Sequence, residues 1–190
     1  MGTGFVTLVS GLPRSGTSMM MQMLEAGGMA VVSDGIRTAD EDNPEGYYEL
    51  ERVKKIEQDA GWLPEARGKA VKMISALLKH LPDQHEYRIV FMRRTMDEVL
   101  KSQRTMLERR GKPGDPADDA KMATIFARHL AQVEQWIAAH PNVRVLYVSY
   151  NEMLADPRPH CEAVAAFLGG GLDVERMTRV VSGDLYRNRA

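Results

Sequence analysis

The sequence predicts a three-layer α/β fold, in which helices flank a mainly parallel central sheet. Short, almost entirely apolar runs alternate with helical patterns along the chain, as they do in proteins with parallel sheets. A glycine-bounded loop joins the first apolar run directly to a helical pattern. The 190 residues fit one domain with a sizeable core, so we expect a single domain over residues 1–190.

The amino-terminal part predicts three strands, each followed by a helix or a loop. The strands are a buried one from Phe5 to Ser10, a short one from Met29 to Val32 and one from Ala70 to Ile74. Between and after them we expect a helix from Gly16 to about Ala26, a polar loop from Ser33 to Gly46, an amphipathic helix over 49–59 with Leu50, Val53 and Ile56, and a short helix through Leu81. Gly27 and Gly28 end the first helix, since glycine is the usual residue at a helix carboxyl end.

The carboxyl-terminal part predicts two further strands. The order is a strand from Tyr87 to Met92, a helix from Asp97 to Arg109, a mobile linker from Arg109 to Asp119, a long helix, a strand from Val143 to Val148 and helices near 159–168 and 173–181. Asp97 is of a residue type that caps helices. The linker holds two glycines and two prolines, which break regular structure. Apolar residues at helical spacing predict one buried face on the long helix: Met122, Ile125, Phe126, Leu130, Val133 and Ile137.

Composition is that of an ordinary globular protein, with 44% hydrophobic and 27% charged residues. A net charge of −1 creates no overall field that would attract nucleic acid, so any anion site must be local. The single cysteine, Cys161, is expected to be a small buried residue on a helix in a reducing compartment. No leader pattern and no membrane-spanning apolar run is present in the sequence, which predicts a cytoplasmic protein.

The loop after the first strand predicts an anion site. Its sequence is Ser10-Gly11-Leu12-Pro13-Arg14-Ser15-Gly16-Thr17-Ser18, and its two glycines have the spacing of a Walker A loop. Backbone N–H groups of such a loop and the helix amino terminus can cradle a phosphate or sulfate. Thr17 stands at the position of the phosphate-binding lysine and Arg14 lies inside the loop, which argues against ordinary ATP or GTP hydrolysis. The alternative is a strand–turn–helix with no ligand.

A second segment predicts a further anion contact at the same edge of the sheet. Arg93 and Arg94 follow the strand that ends at Met92, and ligands of parallel sheets bind at the carboxyl ends of strands. Ser102 comes eight residues after Arg94, in the second turn of the next helix. An arginine and a serine hydroxyl can hold one phosphate between them. Alternatively, Arg93 or Arg94 pairs with Glu98 or faces solvent.

Together these segments resemble those of sulfotransferases that use 3′-phosphoadenosine-5′-phosphosulfate. Residues 11–18 are similar to the family's 5′-phosphosulfate-binding loop, and Arg94 with Ser102 is similar to its 3′-phosphate-binding pair. Residues 149–157, followed by Phe167-Leu168-Gly169, resemble a structural Tyr-Glu-x-Leu-x-x-Asp-Pro…Phe-Leu-Gly segment of bacterial members. Residues 43–49 resemble a stretch near the acceptor in those proteins. The family's fold implies a P-loop-type sheet.

The resemblance implies a donor site and three catalytic residues. Arg14, with the N–H groups of Gly16, Thr17 and Ser18, would stabilise charge on the 5′-phosphosulfate, and Lys72 resembles a strand lysine that faces the site. The implied set is catalytic Arg14, Asp34 and Lys72, and donor-binding Pro13, Arg14, Ser15, Gly16, Thr17, Ser18, Arg94 and Ser102. No metal is expected. The Arg-Asp-Pro motif that is common in the family is replaced by Arg94-Thr95-Met96 in this sequence. No histidine matches the catalytic histidine of the cytosolic members.

The general base and the acceptor are not fixed by the sequence. Asp34 resembles the carboxylate of the tyrosyl-protein members but is equally readable as a turn residue beside Gly35. Its competitors are Asp40, Glu45, Glu49, His80 and His85. Other residues with an open role are Arg37, Arg187 and Arg189, which are candidates for donor contact, and Trp62 and Trp136, which either stack on adenine or pack in the core.

Two other functions are compatible with the sequence. A P-loop kinase or nucleotidase is disfavoured by Thr17 and by the lack of an obvious Mg²⁺-holding acid after a strand. A non-catalytic binder of 3′,5′-adenosine bisphosphate is favoured by the short chain. For a sulfotransferase, the acceptor would be a hydroxyl or amine on a small molecule, carbohydrate, lipid or peptide, with no nucleic-acid partner.

Overall fold

A computed structural model of the chain describes residues 4–36, 46–112 and 117–181. The strands are β1 (Phe5–Gly11), β2 (Val31–Val32), β3 (Ala70–Lys72), β4 (Glu86–Arg93) and β5 (Val143–Ser149). The α-helices are α1 (Thr17–Ala26), α2 (Met96–Arg109), α3 (Ala117–Ala139), α4 (Tyr150–Ala155), α5 (Pro157–Phe167) and α6 (Val174–Val180). Three 3₁₀ helices span Glu51–Lys55, Leu63–Ala66 and Ser75–His80.

The five strands form one sheet in the order β2-β3-β1-β4-β5, and every pairing between them is parallel. The predicted α/β class with a parallel central sheet is confirmed. The chain first builds the sheet to one side of β1 and then crosses to the other side with β4. Ligands of such sheets bind where the order reverses, at the carboxyl ends of the strands. The loop after β1 lies at this point.

Helices cover both faces of the sheet, which gives the three predicted layers. On one face, Val6, Leu8 and Ile89 pack against the 3₁₀ helices and the carboxyl-terminal half of α3. On the other face, Val9, Val90 and other small apolar residues pack against α1, α5 and α6. Four methionines of α1 lie in this second core: Met19, Met20, Met21 and Met23. Met92 lies in this core, while Phe91 faces the other one, because side chains alternate along a strand.

The predicted α-helix over 49–59 is wrong: a 3₁₀ helix spans Glu51–Lys55 and turns follow it. Leu50, Val53 and Ile56 are spaced by three residues, which matches the three residues per turn of a 3₁₀ helix. Val53 and Ile56 are buried accordingly. The short helix that was predicted through Leu81 is also a 3₁₀ helix.

The long helix α3 is present, but the burial predicted for its apolar face holds only near its carboxyl end. Val133 and Ile137 are buried, whereas Ile125 is 57% exposed. At 1.5 Å per residue, the 23 residues of α3 are about 34 Å long, which exceeds the length of the neighbouring strands. Its amino-terminal half therefore extends past the carboxyl edge of the sheet. Residues 113–116 of the predicted linker lie outside the described residues.

Several boundaries differ slightly from the prediction. Strand β3 ends at Lys72 and not at Ile74, although the Met73 N–H still donates to the Val9 carbonyl at 2.9 Å. Thr95, and not Asp97, stands at the N-cap of α2, so Asp97 lies in its first turn. Helix α4 was not predicted; it begins directly after β5, where the Ser149 hydroxyl accepts the Glu152 N–H.

Cys161 lies on α5 and is fully buried, as predicted. Burial raises the pKa of its thiol. Within the described residues, no helix combines the length and the apolar character that crossing a membrane would require.

Candidate active site

The loop between β1 and α1 is shaped by two glycines at which a Cβ would collide with neighbouring residues. A Cβ on Gly11 would lie 2.6 Å from the Met92 carbonyl oxygen, and a Cβ on Gly16 would lie 2.3 Å from the ring of Tyr150. Gly16 also has φ of 95°, in the left-handed region. The Ser15 hydroxyl donates to the Leu12 carbonyl at 2.7 Å, which closes the loop on itself. The loop is thus held close to β4 and to α4.

The amino terminus of α1 is open to an anion. Its N-cap is Gly16, which has no side chain to accept the first N–H groups, and the first turn carries no acidic residue. The first N–H groups of a helix lack acceptors within the helix, and the helix dipole favours negative charge there. Thr17 and Ser18 are partly exposed at this terminus, and Pro13 is exposed.

The two segments predicted to bind anions meet at Arg14. The Arg14 Nε donates to the Ser102 hydroxyl at 2.9 Å, and the Arg94 Nη1 donates to the Arg14 carbonyl at 3.2 Å. Ser102 is buried on α2. Arg14 has φ of 69°, an uncommon value for a residue other than glycine. The arginine that the resemblance implies for the 5′-phosphosulfate therefore contacts the serine that it implies for the 3′-phosphate.

Arg94 also forms the ion pair that was the alternative prediction for it. Its Nε lies 2.8 Å from Oε2 of Glu98, and the two side chains are only 6% and 4% exposed. Its guanidinium lies over the ring of Tyr150, 4.6 Å from the centroid. The neighbouring Arg93 points elsewhere: it pairs with Glu134 and lies over the Tyr147 ring.

Lys72 approaches the loop from its other side, because β3 and β4 flank β1. Its ammonium donates to the Ser18 hydroxyl at 2.9 Å and to the Tyr47 carbonyl at 2.7 Å. The start of α1 thus lies between a lysine from β3 and an arginine that follows β4. Lys72, Arg14 and the helix terminus favour an anion at this point of a chain with almost no net charge, while the charge of Arg94 is paired with Glu98.

Asp34 is exposed just beyond β2, the edge strand next to β3. Its carboxylate accepts the N–H groups of Glu51 and Ile36, at 2.6 and 3.0 Å. These two hydrogen bonds lower the pKa of Asp34, with that from Glu51 the larger cause. The geometry is that of a turn residue that organises the start of a 3₁₀ helix.

A histidine that the sequence did not single out lies at the same edge of the sheet. His129 of α3 has its Nε2 2.8 Å from the buried hydroxyl of Ser75, three residues past the end of β3. Desolvation and the nearby Lys79 lower the pKa of His129, so the imidazole is neutral at pH 7. No motif surrounds His129, and only the packing of α3 against the Ser75 helix brings the pair together.

Of the other candidates for the base, Glu49 lies beside Asp34, whose N–H donates to its carbonyl at 3.1 Å, and its carboxylate is 3.7 Å from the Lys54 ammonium. The two histidine candidates and the tryptophans lie elsewhere. His80 is 3.9 Å from Glu57, and His85 contacts Arg67 near the amino end of β4. Trp62 is buried in the core and Trp136 packs against it, in agreement with the packing alternative. The candidates outside the described residues are Arg37, Asp40, Glu45, Arg187 and Arg189, and residues 43–45 of the stretch that resembles the acceptor segment lie outside them as well.

Comparison with known proteins identifies the family. A model described as the sulfotransferase family matches residues 47–174, about two thirds of the chain. This range begins after the β1 loop and includes Lys72, Arg94 and Ser102. No curated protein sequence matches the chain.

Solved structures of three sulfotransferases share the fold. The chain is similar to mouse sulfotransferase SULT7A1 complexed with PAP, with a TM-score of 0.61 and 18% identity over 98% of this chain and 67% of that one. The chain is also similar to the sulfotransferase domain of the Synechococcus PCC 7002 olefin synthase, with a TM-score of 0.56 and 16% identity over 97% of this chain and 79% of that one. For a sulfotransferase from Alicyclobacillus acidocaldarius, the TM-score is 0.52 and the identity is 16%, over 87% of this chain and 81% of that one. The chain belongs to the sulfotransferase family.

Proposed function

We propose that this protein transfers a sulfuryl group from 3′-phosphoadenosine-5′-phosphosulfate to a hydroxyl or amine acceptor. One observation carries the proposal: Arg14, Arg94 and Ser102, implied to contact two different phosphates of the donor, form one connected cluster at the start of α1. A single nucleotide with two separated anionic groups can reach every member of such a cluster. The match to the sulfotransferase family supports this assignment.

The residues fit the chemistry of the donor. A phosphosulfate needs backbone N–H groups and cations around it, and the Gly16 N-cap has no side chain that would accept the first N–H groups of α1. The 3′-phosphate needs a planar cation and a hydroxyl, which Arg94 and Ser102 supply. That mouse SULT7A1 is complexed with PAP supports the same nucleotide class for this chain.

In the proposed reaction, the acceptor oxygen or nitrogen forms a bond to sulfur while the bond from sulfur to the bridging oxygen breaks. Arg14 and the N–H groups of Gly16, Thr17 and Ser18 neutralise the charge that remains on the 5′-phosphate. Lys72, bound to the Ser18 hydroxyl, adds positive charge from the β3 side. Positioning and electrostatics dominate the related phosphoryl transfers, and we expect the same here.

The acceptor must lose a proton, and two groups are proposed to take it. Asp34 is ionised at neutral pH, but its two backbone hydrogen bonds weaken it as a base. His129 is neutral, and its partner Ser75 lies beyond β3, one strand closer to the loop than β2. A neutral imidazole near pH 7 is the commonest base in enzymes. Substitution of His129 and of Asp34, each in turn, separates the two possibilities.

Calorimetry with 3′,5′-adenosine bisphosphate tests the donor assignment. We expect the wild type to bind it, and Arg94→Ala and Ser102→Ala each to weaken binding by about tenfold or more. Thr105→Ala removes a hydroxyl from the same helix, one that donates to the Lys101 carbonyl, and is expected to bind normally. Preference for Mg-ATP over the bisphosphate would instead favour a P-loop phosphotransferase. Tight binding with no transfer to a broad acceptor panel would favour a non-catalytic binder.

A further inference from the structure

The buried partner of Arg94 is itself held by a second side chain. Oε2 of Glu98 accepts hydrogen bonds from Nε of Arg94 at 2.8 Å and from Nδ2 of Asn151 at 2.9 Å. The Asn151 Oδ1 in turn accepts the N–H of Thr95 at 3.2 Å. Asn151 therefore connects the N-cap of α2 to the Glu98 carboxylate one turn further along the same helix.

We propose that Glu98 and Asn151 are positioning residues that orient the Arg94 guanidinium for the 3′-phosphate of the nucleotide. This inference rests on the proposed function, because it assumes that Arg94 contacts that phosphate. Glu98 and Asn151 themselves touch no substrate in this assignment; they act through Arg94.

The arrangement fixes the guanidinium in both position and plane. Glu98 holds its Nε edge, the Tyr150 ring lies against its face, and the Arg14 carbonyl accepts from Nη1. Arginine recognises phosphate through a planar set of N–H donors, so the plane of the guanidinium determines which oxygens it can reach. An arginine held along one edge and one face has little freedom left, and less entropy is lost when a phosphate binds.

The burial of the pair indicates a role other than stability. A buried ion pair gains little net stability over well-packed apolar residues, because both charges must be removed from water. Glu98 is 3% exposed, and its Oε2 accepts hydrogen bonds from the Arg94 and Asn151 side chains, which offset part of the cost of burying the charge. Asn151 belongs to the segment 149–157, which resembles a structural segment of bacterial sulfotransferases. Its hydrogen bonds to Thr95 and Glu98 connect that segment to the anion site.

Glu98→Asp is the sharpest test, because it keeps the charge and shortens the side chain by one methylene. The shorter carboxylate cannot reach Arg94 and Asn151 from the same position. The matched control is Glu134→Asp, since Glu134 pairs with the neighbouring Arg93 on the exposed surface. Asn151→Ala is the second variant, in case the first fails to fold; it removes the hold on Glu98 without changing any charge.

The measurement is calorimetric binding of two probes, 3′,5′-adenosine bisphosphate and adenosine 5′-phosphosulfate, which lacks the 3′-phosphate. We expect Glu98→Asp to weaken the bisphosphate about tenfold and Asn151→Ala about threefold, with less than a twofold change for the phosphosulfate. Glu134→Asp should change neither affinity. The ratio of the two affinities corrects for general damage to the protein.

Four outcomes would overturn the inference. Equal weakening of both probes would make Glu98 and Asn151 merely structural. Unchanged or tighter bisphosphate binding in Glu98→Asp and Asn151→Ala would mean that they do not orient Arg94. Wild-type protein that binds the bisphosphate no more tightly than adenosine 5′-monophosphate, which differs from it only by the 3′-phosphate, would mean that no 3′-phosphate site exists, while the 5′-phosphate loop survives. Wild-type protein that binds neither probe would overturn the proposed function itself, and the inference with it.

Discussion

The guanidinium of Arg14 is hydrogen-bonded to the hydroxyl of Ser102, a residue 88 positions later in the chain, with an Nε to Oγ distance of 2.9 Å. The bond links the loop after β1 to the second turn of α2. It also determines where the Arg14 side chain points, because Ser102 is buried and cannot move without the helix. Ser102 therefore has two tasks in the proposed site, contact with a phosphate and orientation of an arginine.

Ser102→Ala is expected to reduce turnover as well as donor binding. The substitution removes the acceptor of a charged hydrogen bond, which typically contributes about 1.5–3 kcal/mol. We expect KM for the donor to rise about tenfold and kcat to fall severalfold, as measured by transfer of labelled sulfuryl groups. A rise in KM with unchanged kcat would contradict the role in orienting Arg14 while leaving the phosphate contact intact.

Arg14→Ala should remove most turnover while donor binding partly survives. Arg94, Ser102 and the helix terminus would still bind the nucleotide, but the cation beside the breaking bond would be lost. Removal of one such electrostatic group costs about a hundredfold in rate or more. Undiminished kcat in this variant would defeat the catalytic assignment of Arg14.

Lys72→Met is expected to lower kcat more than it lowers donor affinity. Its ammonium contacts Ser18 and Tyr47 at the carboxyl end of β3, and we expect a loss of about tenfold or more in kcat. Lys69→Met changes an exposed lysine just before the same strand and is the control. Equal activity of the two variants would remove Lys72 from the catalytic set.

His129→Gln and Asp34→Asn distinguish the two proposed bases. We expect His129→Gln to lower kcat about a hundredfold, in line with typical general-base contributions, and to abolish the acidic limb of the pH–rate profile. Asp34→Asn should mainly weaken the backbone hydrogen bonds that Asp34 accepts, with a slight decrease in the free energy of unfolding and little change in kcat. The reverse ranking of kcat would assign the base to Asp34.

Gly16→Ala should destabilise the protein far more than Gly28→Ala. Both glycines have φ near 95°, so an alanine at either position costs about 1–2 kcal/mol of backbone strain. Only Gly16 has a neighbour in the way, the Tyr150 ring, since nothing lies within 4 Å of a Cβ on Gly28. The free energies of unfolding in denaturant give the comparison. Equal losses would show that Tyr150 moves aside freely.

Acidification should destabilise the fold through its desolvated histidines. Burial lowers the pKa of His129 and of His85 below the ordinary value of 6.5, so the unfolded chain binds these protons more readily. Their contribution to stability is complete above pH 6.5 and is lost as the pH falls below it. His129→Gln should flatten this part of the stability curve, measured by denaturant unfolding between pH 5 and 7.5. An unchanged slope would contradict the burial of His129.

The parts of the site that depend on local chain order could be predicted from the sequence. A buried strand, a glycine-bounded loop and a helix predict where Arg14 and Gly16 lie, and parallel-sheet topology predicts that Arg94 comes to the same edge. Contacts between side chains of distant segments could not be predicted. The bond from Arg14 to Ser102 and the Ser75–His129 pair depend on how α2 and α3 pack, and no local pattern encodes that packing.

Secondary structure and helix burial also depend on tertiary packing that a local sequence pattern does not contain. Spacing of three between apolar residues is compatible with both α and 3₁₀ geometry over one or two turns, and the short segment 51–55 took the tighter form. The apolar stripe on α3 predicted a helix correctly but not its burial. A helix longer than the sheet beneath it must leave part of its apolar face uncovered, and a sequence does not report the length of the sheet.

The single cysteine has a practical consequence for experiments on this protein. Cys161 is inaccessible and its thiol resists ionisation, so maleimide reagents should leave the native wild type unlabelled. A cysteine introduced on the exposed surface, for instance in place of Ile125, would then carry one fluorophore per molecule without any background substitution. That dye would report on the surroundings of α3 when nucleotide is added to the otherwise unaltered chain.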